Sequence, residues 1–286
     1  MKLQETLLSE SRIEVDFHEI GFDDQLFLGR YHHTRATKGL HEHHHPHMME
    51  ICYLASGMQV YEVNGQRYVL RGNDVFVTFP DEEHSSGGFP QEKGVLYWLQ
   101  VRIPRGNEPL LLLPHQATEP LCTALCTLPQ RSFNGSPRLP RLLDAVFLAY
   151  QQHTALTPLL VASKIMEFLL EVISCARNNA RVAPPDDITR VLTYIDEQLC
   201  QPLPVSDLAE VAQLSPSRLK AKFKEQVGVP PAEYILRRKI EHAKQLLPYH
   251  SVTEVAYTLG FSSSQYFATV FKRFTNQRPR EYAAAR

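Results

Sequence analysis

Residues 41–50 read HEHHHPHMME, placing five of the chain's thirteen histidines in ten positions and closing them with Glu50. Imidazoles at this density have three uses open to them: ligating a metal ion, hydrogen-bonding a polar ligand, or lining a wet surface. Alternation along an extended segment points His41, His43, His45 and His47 to one side, so several rings can converge. Tyr53, Tyr61 and Trp98 follow in the sequence. With the imidazoles and Glu50 they would suit a sugar, the polar groups meeting hydroxyls and a ring face stacking on pyranose carbons. Tyr53 and Trp98 also read as barrel core.

A second set of candidate residues lies near the other end. From Ala209 onward the chain carries 13 Lys+Arg against 6 Asp+Glu, whereas residues 1–185 carry 16 against 20. The overall charge of -1 hides this asymmetry. A basic end on an acidic body suits one domain that faces a polyanion and another that does not.

The elements that must position these residues change character along the chain. Through the first hundred residues, short runs such as IEVDF, QLFLGRY, MEICYLA, MQVYEV, RYVL, DVFVTF and GVLYWLQVRI are separated by SG, NG, RGND and PDEEHSSGG. That cadence predicts an antiparallel barrel or sandwich, with a tight hairpin at Asn64-Gly65, where both residues tolerate positive φ. Helical periodicity takes over after about residue 115. Residues 137–153 and 157–177 are apolar-striped, the second more widely than a small barrel can cover; the excess either packs on the barrel or forms a symmetric dimer seam. Residues 178–185, polar and ending in two prolines, read as a linker. The class is therefore α+β: a β-barrel with flanking helices over residues 1–177, then an all-α domain over 186–286.

At 286 residues the chain fits two domains. Its start has no basic segment followed by an apolar run, and no stretch reaches the roughly 20 apolar residues that cross a bilayer, which predicts a cytoplasmic protein without a membrane partner. Its five scattered cysteines include no C-x-x-C pair, so neither a disulfide framework nor a zinc knuckle is indicated.

In the last hundred residues, Ser206 is expected to cap one helix; Ser215, Pro216 and Gly228 bound the next, and a long helix is expected over residues 231–247. The pattern then recurs. Leu208-Ala209-x-x-Ala212 is answered by Val255-Ala256-x-x-Leu259, and Leu219-x3-Phe223-Lys224 by Phe267-x3-Phe271-Lys272. Two tandem helix-turn-helix units follow. The second helix of such a unit enters the major groove, so it must bury one stripe and expose another. Leu219 and Phe223 supply the buried stripe of the first unit, leaving Ser217, Arg218, Lys220, Ala221, Lys222 and Lys224 outward. Phe267, Val270 and Phe271 do so in the second, leaving Ser263, Ser264, Gln265, Ala268, Thr269, Lys272 and Arg273.

The segment EVAYTLGFSSSQYFATVFKRFTNQRPREY resembles the C-terminal signature of the arabinose-operon regulator (AraC-type) family, through Gly260-Phe261, Phe271-Lys272 and Pro279. The resemblance spans residues 187–284. It implies seven helices, with the two reading helices about one DNA turn, roughly 34 Å, apart. It suggests Ser217, Lys220 and Ala221, then Ser264, Gln265, Ala268 and Thr269, as base-facing residues; the outward cations Arg218, Lys224 and Lys272 complete the expected DNA-binding set. Ala221 stands where the family often has arginine.

The N-terminal region is similar to the cupin-like sensor of the same family, through HEHHHPHMMEICYLASG, YEVNGQRYVLRGNDVFVTFP and PDEEHSSG. That similarity implies His43, His45, Glu50 and His84 as a possible set for a divalent metal such as Zn, Fe, Mn or Ni, although Pro46 interrupts the run. The candidate ligand-binding residues are thus His43, His45, Glu50, Tyr53, Tyr61, His84 and Trp98. The expected protein is no enzyme but a ligand-responsive transcriptional activator, a homodimer working with promoter DNA, RNA polymerase and a sugar-like effector. The competing expectation is a metal-dependent cupin enzyme or metal sensor fused to a DNA-binding domain.

Overall fold

The computed structural model describes residues 11–22, 26–178 and 186–284. The chain divides into two compact units, one comprising Met1–His33, His41–Gly88 and Gly94–Val182, the other Thr34–Leu40, Phe89–Lys93 and Ala183–Arg286. Apart from Asn178, which ends a helix, the expected linker lies outside the described residues. Among the described residues, no helix is long and apolar enough to cross a membrane.

The first unit contains strands β1 (Arg12–Asp16), β2 (Leu26–His33), β3 (Met48–Val63), β4 (Gln66–Arg71), β5 (Asp74–Thr78), β6 (His84–Ser85), β7 (Gly94–Arg102) and β8 (Ser132–Asn134), with helices α1 (His115–Cys126), α2 (Arg138–Tyr150) and α3 (Thr157–Asn178). The strands form an eight-stranded sheet in the order β1-β2-β7-β3-β5-β8, with β4 and β6 paired to β3. Every pairing is antiparallel.

β3 corrects one expectation. Ser56-Gly57 reads as a break between two strands, yet residues 48–63 form one strand of 16 residues. A register shift between Leu54 and Ser56 absorbs the extra residue, and Gly57 takes a φ of 101°, so the strand bends without leaving the sheet. Before the bulge β3 lies between β5 and β7 and is buried on both faces; beyond it burial alternates. Met49, Ile51 and Tyr53 join a core with Phe147 of α2 and Phe168 of α3. Because side chains alternate, Glu50 and Cys52 occupy the opposite face. The Asn64-Gly65 hairpin is present, with φ of 51° and 74°, the paired left-handed states of a type I′ turn.

The second unit holds, among its described residues, the seven helices expected: α4 (Asp186–Glu197), α5 (Val205–Ala212), α6 (Pro216–Val227), α7 (Pro231–Leu246), α8 (Val252–Thr258), α9 (Ser264–Thr275) and α10 (Pro279–Ala284). Ser215 accepts from the Arg218 amide and Gly228 closes α6 at a φ of 83°. Ser206 does not cap α5: the helix begins at Val205 behind Pro204, and the Ser206 hydroxyl donates to Asp207. Ser251 and Glu254 form a reciprocal capping box at α8, and Ser263 caps α9. The two helix-turn-helix units use the same means: Leu208, Ala209, Leu219 and Phe223 are buried in the first, Val255, Ala256, Phe267 and Phe271 in the second.

Candidate functional site

Two groups of functional side chains are built, one in each unit. On α6, Leu219, Phe223 and Val227 are buried, and Ser217, Arg218, Lys220, Ala221 and Lys224 are exposed. On α9, Phe267, Val270, Phe271 and Phe274 are buried, Gln265, Thr269 and Lys272 are exposed, and Ser264 and Ala268 are half-buried. The 3.6-residue period produces both faces from one pattern. Lys222 departs from expectation: it is half-buried, with Nζ 2.6 Å from Asp187 Oδ2 on α4, so its charge braces the unit instead of facing outward. Ser263 spends its hydroxyl oxygen on the Tyr266 amide, and the Thr269 hydroxyl donates to the Gln265 carbonyl at 3.0 Å. Tyr266 is 47% exposed at the start of α9, a position that its aromatic character alone would assign to the core.

The second group centres on Glu50. Its Oε2 accepts from Gln100 Nε2 at 2.7 Å and lies 3.4 Å from His45 Nε2. Its Oε1 accepts from the Cys52 thiol at 3.5 Å and lies 3.6 Å from His84 Nε2. Gln100 is directly opposite Glu50 in the β3/β7 register, which explains how a residue fifty positions away reaches it. The Tyr61 hydroxyl donates to Cys52 Sγ at 3.4 Å, so Tyr61 joins the group through the thiol.

His43 and His84 exchange backbone hydrogen bonds of 3.1 and 2.9 Å. This isolated bridge brings their rings to 4.3 Å, with the His45 ring 5.1 Å from His43 and 5.4 Å from His84. One donor nitrogen from each of the three lies within 4.8 Å of the others. His43 Nδ1 is 2.7 Å from the His41 carbonyl and His84 Nδ1 is 3.2 Å from the Glu82 carbonyl. A carbonyl can only accept, so both Nδ1 atoms carry hydrogen and the lone pair of each neutral ring is left at Nε2.

Burial opposes the Glu50 charge, but His45, His84 and Gln100 outweigh it and hold the carboxyl well below its usual range. Burial likewise opposes a charge on His84, but Glu50 outweighs that and raises the imidazole. His43 is lowered, chiefly by burial. Glu50 and His84 therefore favour each other's charged forms.

The structure brings together His43, His45, Glu50 and His84, and reaches Tyr61 through Cys52. It separates Tyr53, which lies three residues from Glu50 on the same strand and so on the helix-facing side; its hydroxyl donates to Asn73 Oδ1 at 3.0 Å, and burial pushes it up to about 12. Trp98 faces Cys52 in register, but its indole lies flat on Gly29, where a Cβ would run into the ring, and Arg12 stands 5.0 Å from the ring centre. Alternation also fails within the histidine run. Residues 41–47 are not a strand; His47 takes a φ of 62° and turns to Asp81, 3.3 Å from its Nδ1. His41 is exposed and the His41 contact in the cluster is its backbone carbonyl. Sequence reasoning missed Cys52 and Gln100; strand parity from Glu50 indicates the first, while the second requires the register.

Comparison with known proteins places both units. A model described as a helix-turn-helix domain matches residues 208–285, and one described as an AraC-like ligand binding domain matches residues 29–169. The HTH-type transcriptional activator RhaS of Salmonella arizonae is 27% identical over 262 residues, covering 86% of this chain and 88% of that protein. An uncharacterised HTH-type transcriptional regulator of Staphylococcus aureus is 30% identical over 155 residues, 52% of this chain; the match spans only 21% of that protein's length. Among solved structures, an AraC-type DNA-binding domain regulator from Chromobacterium violaceum is 28% identical, covering 34% of this chain and 89% of that one at a TM-score of 0.33. ToxT from Vibrio cholerae is 13% identical, covering 91% of this chain and 98% of that one at a TM-score of 0.36.

Proposed function

Since this chain belongs to the AraC-type regulator family, we propose that it is a ligand-responsive transcriptional regulator that binds duplex DNA through α6 and α9. The observation that carries this reading is the matched pair of faces, Arg218, Lys220 and Ala221 on one helix and Gln265, Ala268 and Thr269 on the other, each above a buried stripe. A major groove about 12 Å wide admits one such helix. In this reading Lys224 and Lys272 neutralise phosphates, which fix position but carry no sequence information. Gln265 is matched to the adenine edge, Arg218 or Lys220 to guanine, and the methyls of Ala221 and Ala268 to thymine; Ser217 and Ser264 bond either a base or a phosphate.

The finer assignments are part of the same proposal. The protein acts in the cytoplasm as an activator, as its relative's name suggests, with RNA polymerase as a further partner. It works as a homodimer along α3. Leu156, just before that helix, and Leu159, Ser163 and Leu170 along it are exposed, and Glu167, which falls among them, is paired with Lys164 at 2.7 Å, which suits a second copy of the same helix. Its effector is a small polar ligand of the Glu50 cluster, and a sugar would find hydroxyl partners in Glu50, Gln100 and Tyr61. Such a ligand shifts the regulator only if it binds two arrangements unequally. No catalytic role is assigned.

The test is selection of duplexes from a random library by the full chain. Regulation through two reading helices predicts an enriched sequence with two short motifs about one turn apart. Recovery of no preferred sequence counts against it.

A further inference from the structure

We infer that Lys239, midway along α7, fixes the angle between the two helix-turn-helix units and so sets the spacing of the two DNA motifs that the chain accepts. Lys239 is thus a positioning residue. This role presupposes that α6 and α9 contact DNA, and adds what holds them in step.

α7 serves the two units in turn. In its first half Tyr234 packs edge-on against Phe223 of α6, with ring centres 5.6 Å apart, while Ile240 and Ala243 in its second half share a core with Phe267 and Phe271 of α9. These apolar contacts tie each unit to the rod. Being non-directional, they leave the units free to roll about it.

A directional connection closes at Lys239, where α7 passes from one unit to the other. The side chain is buried, 6% exposed. Its ammonium donates to the Gln201 carbonyl, in the loop between α4 and α5, at 3.4 Å, and lies 5.7 Å from the ring centre of Phe261, in the turn between α8 and α9. That turn also meets that loop directly: a Cβ on Gly260 would stand 3.0 Å from the Cys200 carbonyl oxygen and 3.3 Å from Lys239 Nζ. One ammonium therefore links the first unit's loop, the rod and the second unit's turn.

Stability gives no reason for a lysine here. Burial pulls its ammonium below the usual lysine range, and among the described residues no carboxylate pairs with it. A thioether of similar length would avoid that desolvation. What the cation supplies instead is geometry, since a hydrogen bond and a contact with a ring face each prefer one arrangement.

Spacing is where such a constraint is read. One added base pair moves the second motif by about 3.4 Å and turns it by about 35° around the duplex. Rigid units then engage one motif only and forfeit the gain from the other, about 100-fold or more. Units that roll recover part of it.

The experiment uses the full chain on the duplex recovered by selection, and on versions with one base pair inserted or removed between the motifs. The parent is expected to lose about 100-fold on respacing, and Lys239→Met less than about 10-fold. Lys239→Met should also keep its penalty for a changed base within either motif and melt no earlier than the parent. A purely structural role would instead lower the melting temperature and weaken binding to all duplexes alike. Arg238→Ala removes an exposed cation paired with Asp196 of α4 at 2.8 Å, inside the first unit, and should keep the parent's penalty. If Lys239→Met fails to fold, Phe261→Leu, which removes the ring and keeps an apolar side chain, carries the test with the same expected relaxation. A full respacing penalty in the folded variant overturns the inference alone, as does a parent indifferent to spacing or an equal relaxation in Arg238→Ala. A parent with no preferred duplex overturns the regulator reading and this inference together.

Discussion

Gln213 and Gly260 hold the same left-handed backbone state, φ of 56° and 67°, immediately after α5 and close after α8. Each turns the chain between the bracing helix and the reading helix, so one geometry serves both helix-turn-helix units despite different residues. Glycine adopts this state at little cost, while a residue with a Cβ is strained there. At Gly260 a Cβ would also stand 3.0 Å from the Cys200 carbonyl oxygen. Gly260→Ala is therefore expected to destabilise the helical unit by about 1–2 kcal/mol, read as an earlier urea transition in far-ultraviolet circular dichroism. An unchanged transition would mean that the turn relaxes freely.

Substitutions on the reading helices are expected to separate by type. Lys272→Ala lowers affinity for every duplex alike and reduces the salt slope by about 1. Gln265→Ala costs about 1–3 kcal/mol at one base pair of the selected sequence and little on unrelated duplexes. Fluorescence anisotropy at several salt concentrations distinguishes the two. Identical behaviour of both variants on selected and unrelated sequences would remove Gln265 from base recognition.

Much of this arrangement was legible in the sequence because local chemistry dictated it. Asn64-Gly65 must turn, Ser215-Pro216 must start a helix, and the Leu219/Phe223 and Phe267/Phe271 repeats must be buried. What escaped depended on partners distant in sequence. Lys222 looks like one more outward cation until Asp187, thirty-five residues earlier, takes its ammonium. Gln100 joins Glu50 only through the β3/β7 register. The bulge that makes residues 48–63 one strand resembles a turn locally, since Ser-Gly serves in both. Tyr53 reads both as pocket and as core, and its odd spacing from Glu50 decides for the core, on the other face of the strand.

The stripe on α3 predicts a specific change in assembly. Leu159 and Leu170 are 60% and 54% exposed, and replacing each with Glu puts two charges where a second copy would pack. The double variant is expected to sediment as a monomer under conditions in which the parent is a dimer, with its far-ultraviolet circular dichroism unchanged because neither side chain is buried within the protomer. A parent protein that is monomeric at every concentration tested would refute the seam.

Acid should act on the first unit through Glu82. Burial opposes its charge, but two hydrogen bonds from Arg131, at 2.7 and 2.9 Å, and one from the Phe79 amide hold its carboxyl below the usual range. A depressed carboxylate contributes stability above its unfolded value of about 4.3, lost as pH falls through the folded value. Glu82→Gln should therefore cost about 1 kcal/mol near pH 7, a difference that shrinks below about pH 4. Trp98, the chain's single tryptophan, lies in this unit, so its fluorescence during urea unfolding reads the effect. A difference that persists at pH 3 would assign the loss to packing and not to charge.

The most direct measurement of DNA recognition compares the full chain on a duplex recovered by selection with a scrambled duplex of the same composition, at physiological salt. Reading by α6 and α9 predicts affinity for the selected duplex tighter by about 1000-fold or more, with the preference sharply reduced when Gln265 and Lys220 are both replaced by Ala. Equal affinity for the two duplexes, or a preference untouched by the double replacement, would contradict sequence-specific recognition through these helices.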